Sequence, residues 1–307
     1  MSVQIARANK LKWTYIERAS NRDIEYLRDK FQFHPLDLKD CLSKTQRPKI
    51  DVYPAYLFLV FHFPRYDREK RRVESQQLNI FVGRNYVVTV SGPRLPVLAE
   101  YYSQWKEKTS KKLIYNKLKN NSGYLLYKII SELFDESLPV IDIIGLYINK
   151  VEEDVYSEDS RNAAHEIAVV RRNVMNFRSL LEPQIPIIDK LVNIRKTFLS
   201  RDLSVYYDDV HDYIEKTSMT LNNYREIIAN LHDTNESIIS QRTNDVMKTL
   251  TMISVALLPL TLMASIYGMN ITGLPFADHP FGLWVVFGIM FIFVVVTVIV
   301  SRKKNLI

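Results

Sequence analysis

Thr249-Leu250-Thr251-Met252-Ile253-Ser254-Val255-Ala256-Leu257-Leu258-Pro259-Leu260-Thr261-Leu262-Met263-Ala264-Ser265-Ile266 is a run of 18 residues without a charge, and Tyr267-Gly268-Met269-Asn270-Ile271-Thr272-Gly273 follows it. A second uncharged run, Phe281 to Ser301, has 21 residues. At about 1.5 Å of rise per residue, each matches the roughly 30 Å hydrocarbon core of a bilayer. The sequence therefore predicts two spanning helices, 249–266 and 281–301, joined by an outer loop over 267–280. Arg242 and Lys248 precede the first run, Arg302, Lys303 and Lys304 follow the second, and the loop has no basic residue. The positive-inside rule then places both termini in the cytoplasm, in a multi-pass protein of the inner or plasma membrane.

The long N-terminal remainder carries most of the charge. Its first residues, Met1 to Arg7, lack an apolar stretch of signal-peptide length, so it is expected to stay cytoplasmic. The single cysteine, Cys41, reads as a small buried residue and fits a reducing compartment. The net charge of +7 is unevenly spread, since Glu132 to Asp159 holds nine carboxylates against one lysine. No basic and aromatic module accompanies the basic stretches, which argues against nucleic acid as a partner. The six histidines are scattered, no nucleophile and base arrangement stands out, and no phosphate-binding loop occurs, so an enzyme is not expected.

In chain order, residues 1–115 read as an α+β domain. Helices are expected over Asn21–Phe31, Leu36–Leu42 and Leu95–Lys108, and strands over Val52–Phe63, Gln77–Val82 and Tyr86–Ser91. Residues 116–200 read as a helical hairpin, its first arm running from Ser122 to Tyr156 with a bend at Pro139. The second arm runs from Arg161 to Leu181, with a further piece to Phe198. From Ser204 the helical period continues without a strong breaker to Pro259. Stalk (201–248) and first span are therefore expected to form one helix of roughly 95 Å, ended by Gly268 in the left-handed conformation.

Asn244, Met247, Thr251, Ser254, Leu258, Thr261, Ser265 and Gly268 follow one another in steps of three and four, a single stripe on one face of that helix. Two readings fit the spacing. Small residues on one face suit close helix packing. In a ring of several copies they would instead line a water-filled path, with Met247 and Leu258 as apolar constrictions. Asn270 is either a helix-terminal residue bonding to backbone or an amide that accepts hydrogen bonds from the waters of a hydrated cation.

Tyr267-Gly268-Met269-Asn270 between two C-terminal spans and behind a long helix resembles the signature of the CorA magnesium transporters. The likeness extends to His34-Pro35-Leu36-Asp37-Leu38-Lys39-Asp40-Cys41-Leu42, Arg47-Pro48-Lys49-Ile50, Leu78-Asn79-Ile80-Phe81-Val82, Tyr86-Val87-Val88-Thr89-Val90 and Asn244-Asp245-Val246-Met247-Lys248. The resemblance implies a homopentameric funnel in the lipid bilayer, with cytoplasmic α+β domains, long-helix stalks and two C-terminal transmembrane helices. It makes Gly268, Met269 and Asn270 the selectivity ring, and places Asn244, Met247, Leu250, Leu258, Thr261 and Ser265 along the pore. It further implies that cytoplasmic Mg2+ is sensed by carboxylates bridging subunits. Asp209, in Asp208-Asp209-Val210-His211-Asp212, matches that position, with Asp67 as its partner and His211 an ordinary stalk residue.

One departure concerns the outer loop. Where the family often has Met-Pro-Glu-Leu, this chain has Leu274-Pro275-Phe276-Ala277, and Asp278 is the loop's only acid.

The expectation is uptake of Mg2+, and of Co2+ or Ni2+, driven by the membrane potential, gated by Mg2+ and needing no organic cofactor. A potential of 100 mV favours inward movement of a divalent cation by about 4.6 kcal/mol. Two alternatives stand beside it: a zinc transporter of the same superfamily, and a membrane-anchored sensor or scaffold without flux.

Overall fold

The computed structural model describes residues 2–43, 46–93, 95–110, 121–157, 162–199, 201–269, 275 and 280–303. It divides the chain into two compact units, Met1–His232 and Asp233–Ile307.

The first unit is built on a six-stranded sheet of order β1-β2-β6-β5-β4-β3. The strands are β1 (Val3–Ala8), β2 (Leu11–Glu17), β3 (Lys49–Val52), β4 (Tyr56–Asp67), β5 (Arg72–Gly83) and β6 (Tyr86–Ser91). Every neighbouring pair is antiparallel except β2 and β6, which run parallel. Side chains alternate across a strand, and on β4 each parity meets a different set of partners. Phe58 and Val60 join Leu27, Phe33 and Leu38, from α1 (Asn21–Phe31), α2 (Pro35–Asp40) and the link between them. Phe61 and Phe63 instead meet the edge of the Phe134 ring from α4 (Ser122–Asp135). At the other end of the sheet Trp13 packs against Tyr101, Tyr102 and Trp105 of α3 (Pro96–Ser110). The sheet is thus covered on both faces, which explains why its central strands are almost wholly apolar and buried.

Three strands lie outside the sequence expectation. β2 is buried along most of its length and so lacks the alternation that marks a half-exposed strand. β1 and β3 are short edge strands carrying charge, and β5 begins five residues before the apolar run at its end. The expected first arm, Ser122 to Tyr156, is two helices. α4 stops at Asp135 and α5 (Leu138–Tyr156) starts anew, with Pro139 in its first turn, where a missing N–H costs nothing. α6 (Ala163–Leu181) passes through a 3-10 turn at Glu182–Gln184 into α7 (Ile185–Asn193), which ends before the expected Phe198.

β3 pairs with β4 only as far as Val60, so at His62 the β4 backbone needs other partners. The buried Gln184 amide supplies both, accepting from the His62 N–H at 3.0 Å and donating to the His62 carbonyl at 2.7 Å. One side chain thereby substitutes for a neighbouring strand. Gln184→Ala would leave a buried donor and acceptor unpaired, at a cost of about 2–4 kcal/mol. Thermal unfolding of the purified protein, followed by circular dichroism, should show a lowered Tm with unchanged secondary structure below the transition.

Candidate functional site

α8 (Ser204–Tyr267) is one helix of 64 residues and contains Pro259. Pro259 has no N–H to offer the carbonyl of Val255, yet the helix continues through it. An 18-residue window of α8 has a mean hydropathy of 1.9 with none of it buried, so the helix is long and apolar enough to cross a membrane. α9 (Gly282–Lys303) follows, apolar through Val300, and its Leu283, Trp284, Phe291 and Ile292 side chains are all exposed. So much contiguous apolar surface is incompatible with water as the only solvent.

Within the second unit the least exposed residues of the two helices form complementary stripes. On α8 these are Met252, Ala256, Pro259, Leu260 and Met263, and on α9 Gly282, Val286, Met290, Val294 and Thr297. Both follow helical period, which identifies them as the seam between α8 and α9. At 3.6 residues per turn the stripe predicted from the sequence lies roughly 160° round α8 from that seam. Asn244, Met247, Leu250, Thr251, Ser254, Leu258, Thr261 and Ser265 are all exposed, with Leu250, Ser254, Leu258, Thr261 and Ser265 on that opposite side and Asn244, Met247 and Thr251 reaching the flank of the seam. The seam between α8 and α9 therefore does not consume them. At one end Asn244, Met247 and Thr251 border an open groove of about 1010 Å³, whose far wall is Phe293, Val296, Thr297 and Val300 of α9.

The stripe hydroxyls bond inward to their own helix. Thr251 Oγ1 donates to the Met247 carbonyl at 2.8 Å, Ser254 Oγ to Leu250 at 2.9 Å and Thr261 Oγ1 to Leu257 at 2.9 Å. Each donor is satisfied without water, which makes the residue tolerable in hydrocarbon. The oxygen lone pairs remain available, and acceptors suit the hydrogens of a hydrated cation better than donors do.

Gly268 does not end α8 in the left-handed conformation that the sequence suggests. Its N–H bonds the Ala264 carbonyl at 2.9 Å, continuing the helical pattern, and Met269 N–H bonds Ile266 at 3.2 Å. Glycine matters here for approach: a Cβ would stand 3.0 Å from the Ala264 oxygen. The Tyr267 hydroxyl donates to the Pro275 carbonyl at 3.0 Å. Asn270, Phe276 and Asp278 lie outside the described residues.

The two carboxylates expected to sense metal differ in their surroundings. Asp209 is exposed on α8, and among the described residues no lysine or arginine pairs with it. Asp67 shapes the β4–β5 turn: its Oδ1 accepts from the N–H groups of Glu69 at 3.0 Å and Lys70 at 3.1 Å, with Lys70 Nζ 3.5 Å from Oδ2. The Lys70 backbone N–H, chiefly, holds its carboxyl below the usual range. No hydrogen bond or ion pair joins Asp67 to Asp209 among the described residues. Among the described residues Asp209 thus has no cationic side chain beside it, whereas Asp67 has Lys70. His211 pairs with Asp189 of α7 at 3.0 Å.

Sequence reasoning missed Asp135, at the end of α4. Asp135 is exposed, but partial loss of solvent around its carboxyl pushes it above the usual range, and the nearby Asp209 charge adds to the effect. Only the packing of α4 on α8 could have shown it.

The model of the family described as CorA-like Mg2+ transporter protein matches residues 8–303. The chain belongs to this family. Its relatives include the putative metal ion transporter YfjQ of Bacillus subtilis, 29% identical over 91% of this chain and 85% of that protein. The cobalt/magnesium transport protein CorA of Thermotoga maritima is 28% identical over 90% and 77% of the two chains. Among solved structures, the CorA magnesium transporter of Methanocaldococcus jannaschii superposes with a TM-score of 0.83. That match covers 97% of this chain and 92% of the other at 18% identity, so the two share the CorA fold.

Asp135 gives a pH prediction. A carboxyl raised in the folded state makes folding cost more as pH rises through its folded value, and the cost vanishes below the ordinary value of 3.8. Asp135→Asn should therefore raise the Tm at neutral pH in EDTA, and the gain should disappear as melting is repeated below that pH.

Proposed function

We propose that the chain carries Mg2+, and also Co2+ or Ni2+, into the cytoplasm down the electrochemical gradient, as a homopentamer in the cell membrane with both termini inside. Residues 249–266 and 281–301 are its two spans, with loop 267–280 outside and tail 302–307 inside. The stalk is 201–248, and the cytoplasmic domain comprises 1–115 and 116–200. One observation carries this reading. The hydroxyl stripe of α8 is exposed outside the α8–α9 seam, with the donors of Thr251, Ser254 and Thr261 satisfied internally and their acceptors free. Within the family already established, a ring of such faces makes a polar path through an apolar layer.

Met247, Leu250 and Leu258 then narrow the path, and Asn244, Thr251, Ser254, Thr261 and Ser265 wet it. Gly268, Met269 and Asn270 form its mouth, where Asn270 bonds to waters that Mg2+ releases reluctantly. Asp209 takes a regulatory Mg2+ with Asp67 of a neighbouring copy. Opposed carboxylates repel when empty and are joined when a divalent cation lies between them, so rising cytoplasmic Mg2+ holds the assembly closed. The names of the relatives, a cobalt/magnesium transport protein among them, support the choice of ion.

Proteoliposomes holding the purified protein should take up Mg2+ when an inside-negative potential is imposed, with no ATP present. Asn270→Ala should reduce uptake at least tenfold, and Thr261→Val should reduce it while leaving the Tm unchanged. Asp209→Asn should keep flux high at internal Mg2+ concentrations that silence the wild type. Wild-type vesicles without potential-dependent uptake would refute transport, and an Asn270→Ala variant as active as wild type would remove the mouth assignment alone.

A further inference from the structure

We propose that the first unit binds a small phosphate-bearing anion in a cavity of about 980 Å³ at the carboxyl ends of the parallel strands β2 and β6. In sheets with parallel strands, ligands gather at that end, where the chain leaves each strand and turns toward a helix. Both connections occur here. β2 ends at Glu17 and leads through Arg18 and Ala19 to α1, while β6 ends at Ser91 and leads through Gly92 to Leu95 into α3. Arg18, Ala19, Ser91, Gly92 and Leu95 all line the cavity.

Three further observations point to an anion. Arg18, Arg65 and Arg68 line the same cavity, and among the described residues none of their guanidinium groups has a hydrogen-bond or ion-pair partner. Of the acids on the wall, Asp67 pairs with Lys70, and Glu74 with Lys70 and Arg72. Glu69 remains, so three guanidinium groups face one uncompensated carboxylate. Such planar forks are suited to phosphate oxygens.

Ser91 supplies the second observation: it is 4% exposed, lines the cavity, and its Oγ has no hydrogen-bond partner. Tyr15 lies near it without completing a bond. A buried hydroxyl without a partner carries a cost that a ligand oxygen would remove.

The third is Arg18 itself, held at φ 53° and pinned by its N–H to the Ser91 carbonyl at 2.9 Å. An L-residue in the left-handed region is strained, and a glycine would avoid the strain. An arginine is kept there, where the turn carries its side chain to the cavity.

The test uses the full-length protein in detergent with EDTA, titrated calorimetrically with ATP and, separately, with inorganic phosphate at constant ionic strength. Saturable binding of either probe is expected, and comparing the two distinguishes an ester from the free ion. Arg65→Ala combined with Arg68→Ala should weaken it at least tenfold. Ser91→Ala, which removes an oxygen without a protein partner and so spares the fold, should weaken it severalfold. Absence of binding of both probes at millimolar concentration would overturn the proposal, as would binding that these variants leave unchanged. Neither readout depends on ion flux, so failure here is separate from failure of the transport reading.

Discussion

Hydrocarbon offers no hydrogen bonds, and that constraint orders the C-terminal unit. Every polar group in the apolar window of α8 must find its partner inside the protein or face a wet path. Thr251, Ser254 and Thr261 meet the first requirement by donating to carbonyls one turn back. Having done so, they present acceptors alone on the exposed face. Pro259 withholds a donor from the Val255 carbonyl in the same window and sits on the α9 side. The two faces of one helix are thus chemically unequal: one packs through Met252, Ala256 and Met263, and the other is free.

The same accounting, applied to a buried sheet, shapes the first unit. Strand β3 is only four residues long, so β4 has an edge that water cannot reach, and Gln184 completes it from the turn between α6 and α7. Asn173 does comparable work on β5, accepting from the Val73 N–H at 2.9 Å and donating to the Arg71 carbonyl at 3.0 Å. The helical layer is therefore tied to the sheet by polar side chains as well as by Phe134. Beside Asn173, Glu166 of α6 pairs with Arg71, fixing the β4–β5 turn that also holds Asp67.

Much of this was legible in the residues. The long helix, the two apolar runs, the stripe at steps of three and four and the family likeness all rest on local period or on motif order, which a linear chain displays openly. What escaped was non-local. β2 could not be read because burial on both faces erases alternation, and α4 and α5 merged because Pro139 begins a helix as readily as it bends one. Gly268 was misread for a related reason: a helix end is set by backbone geometry, and here glycine serves close approach to Ala264.

The sequence by itself determined that two apolar stretches follow a charged N-terminal part, that one long helix carries the first of them, and that polar residues follow one of its faces, because length, hydropathy and helical period are properties of consecutive residues. Only the tertiary structure decided which face of α8 meets α9, that the Asp135 carboxyl stands near Asp209, that Lys70 already engages Asp67, and that Arg18, Arg65, Arg68 and Ser91 share one cavity. Those facts depend on residues far apart in the chain, and nothing but packing brings them together.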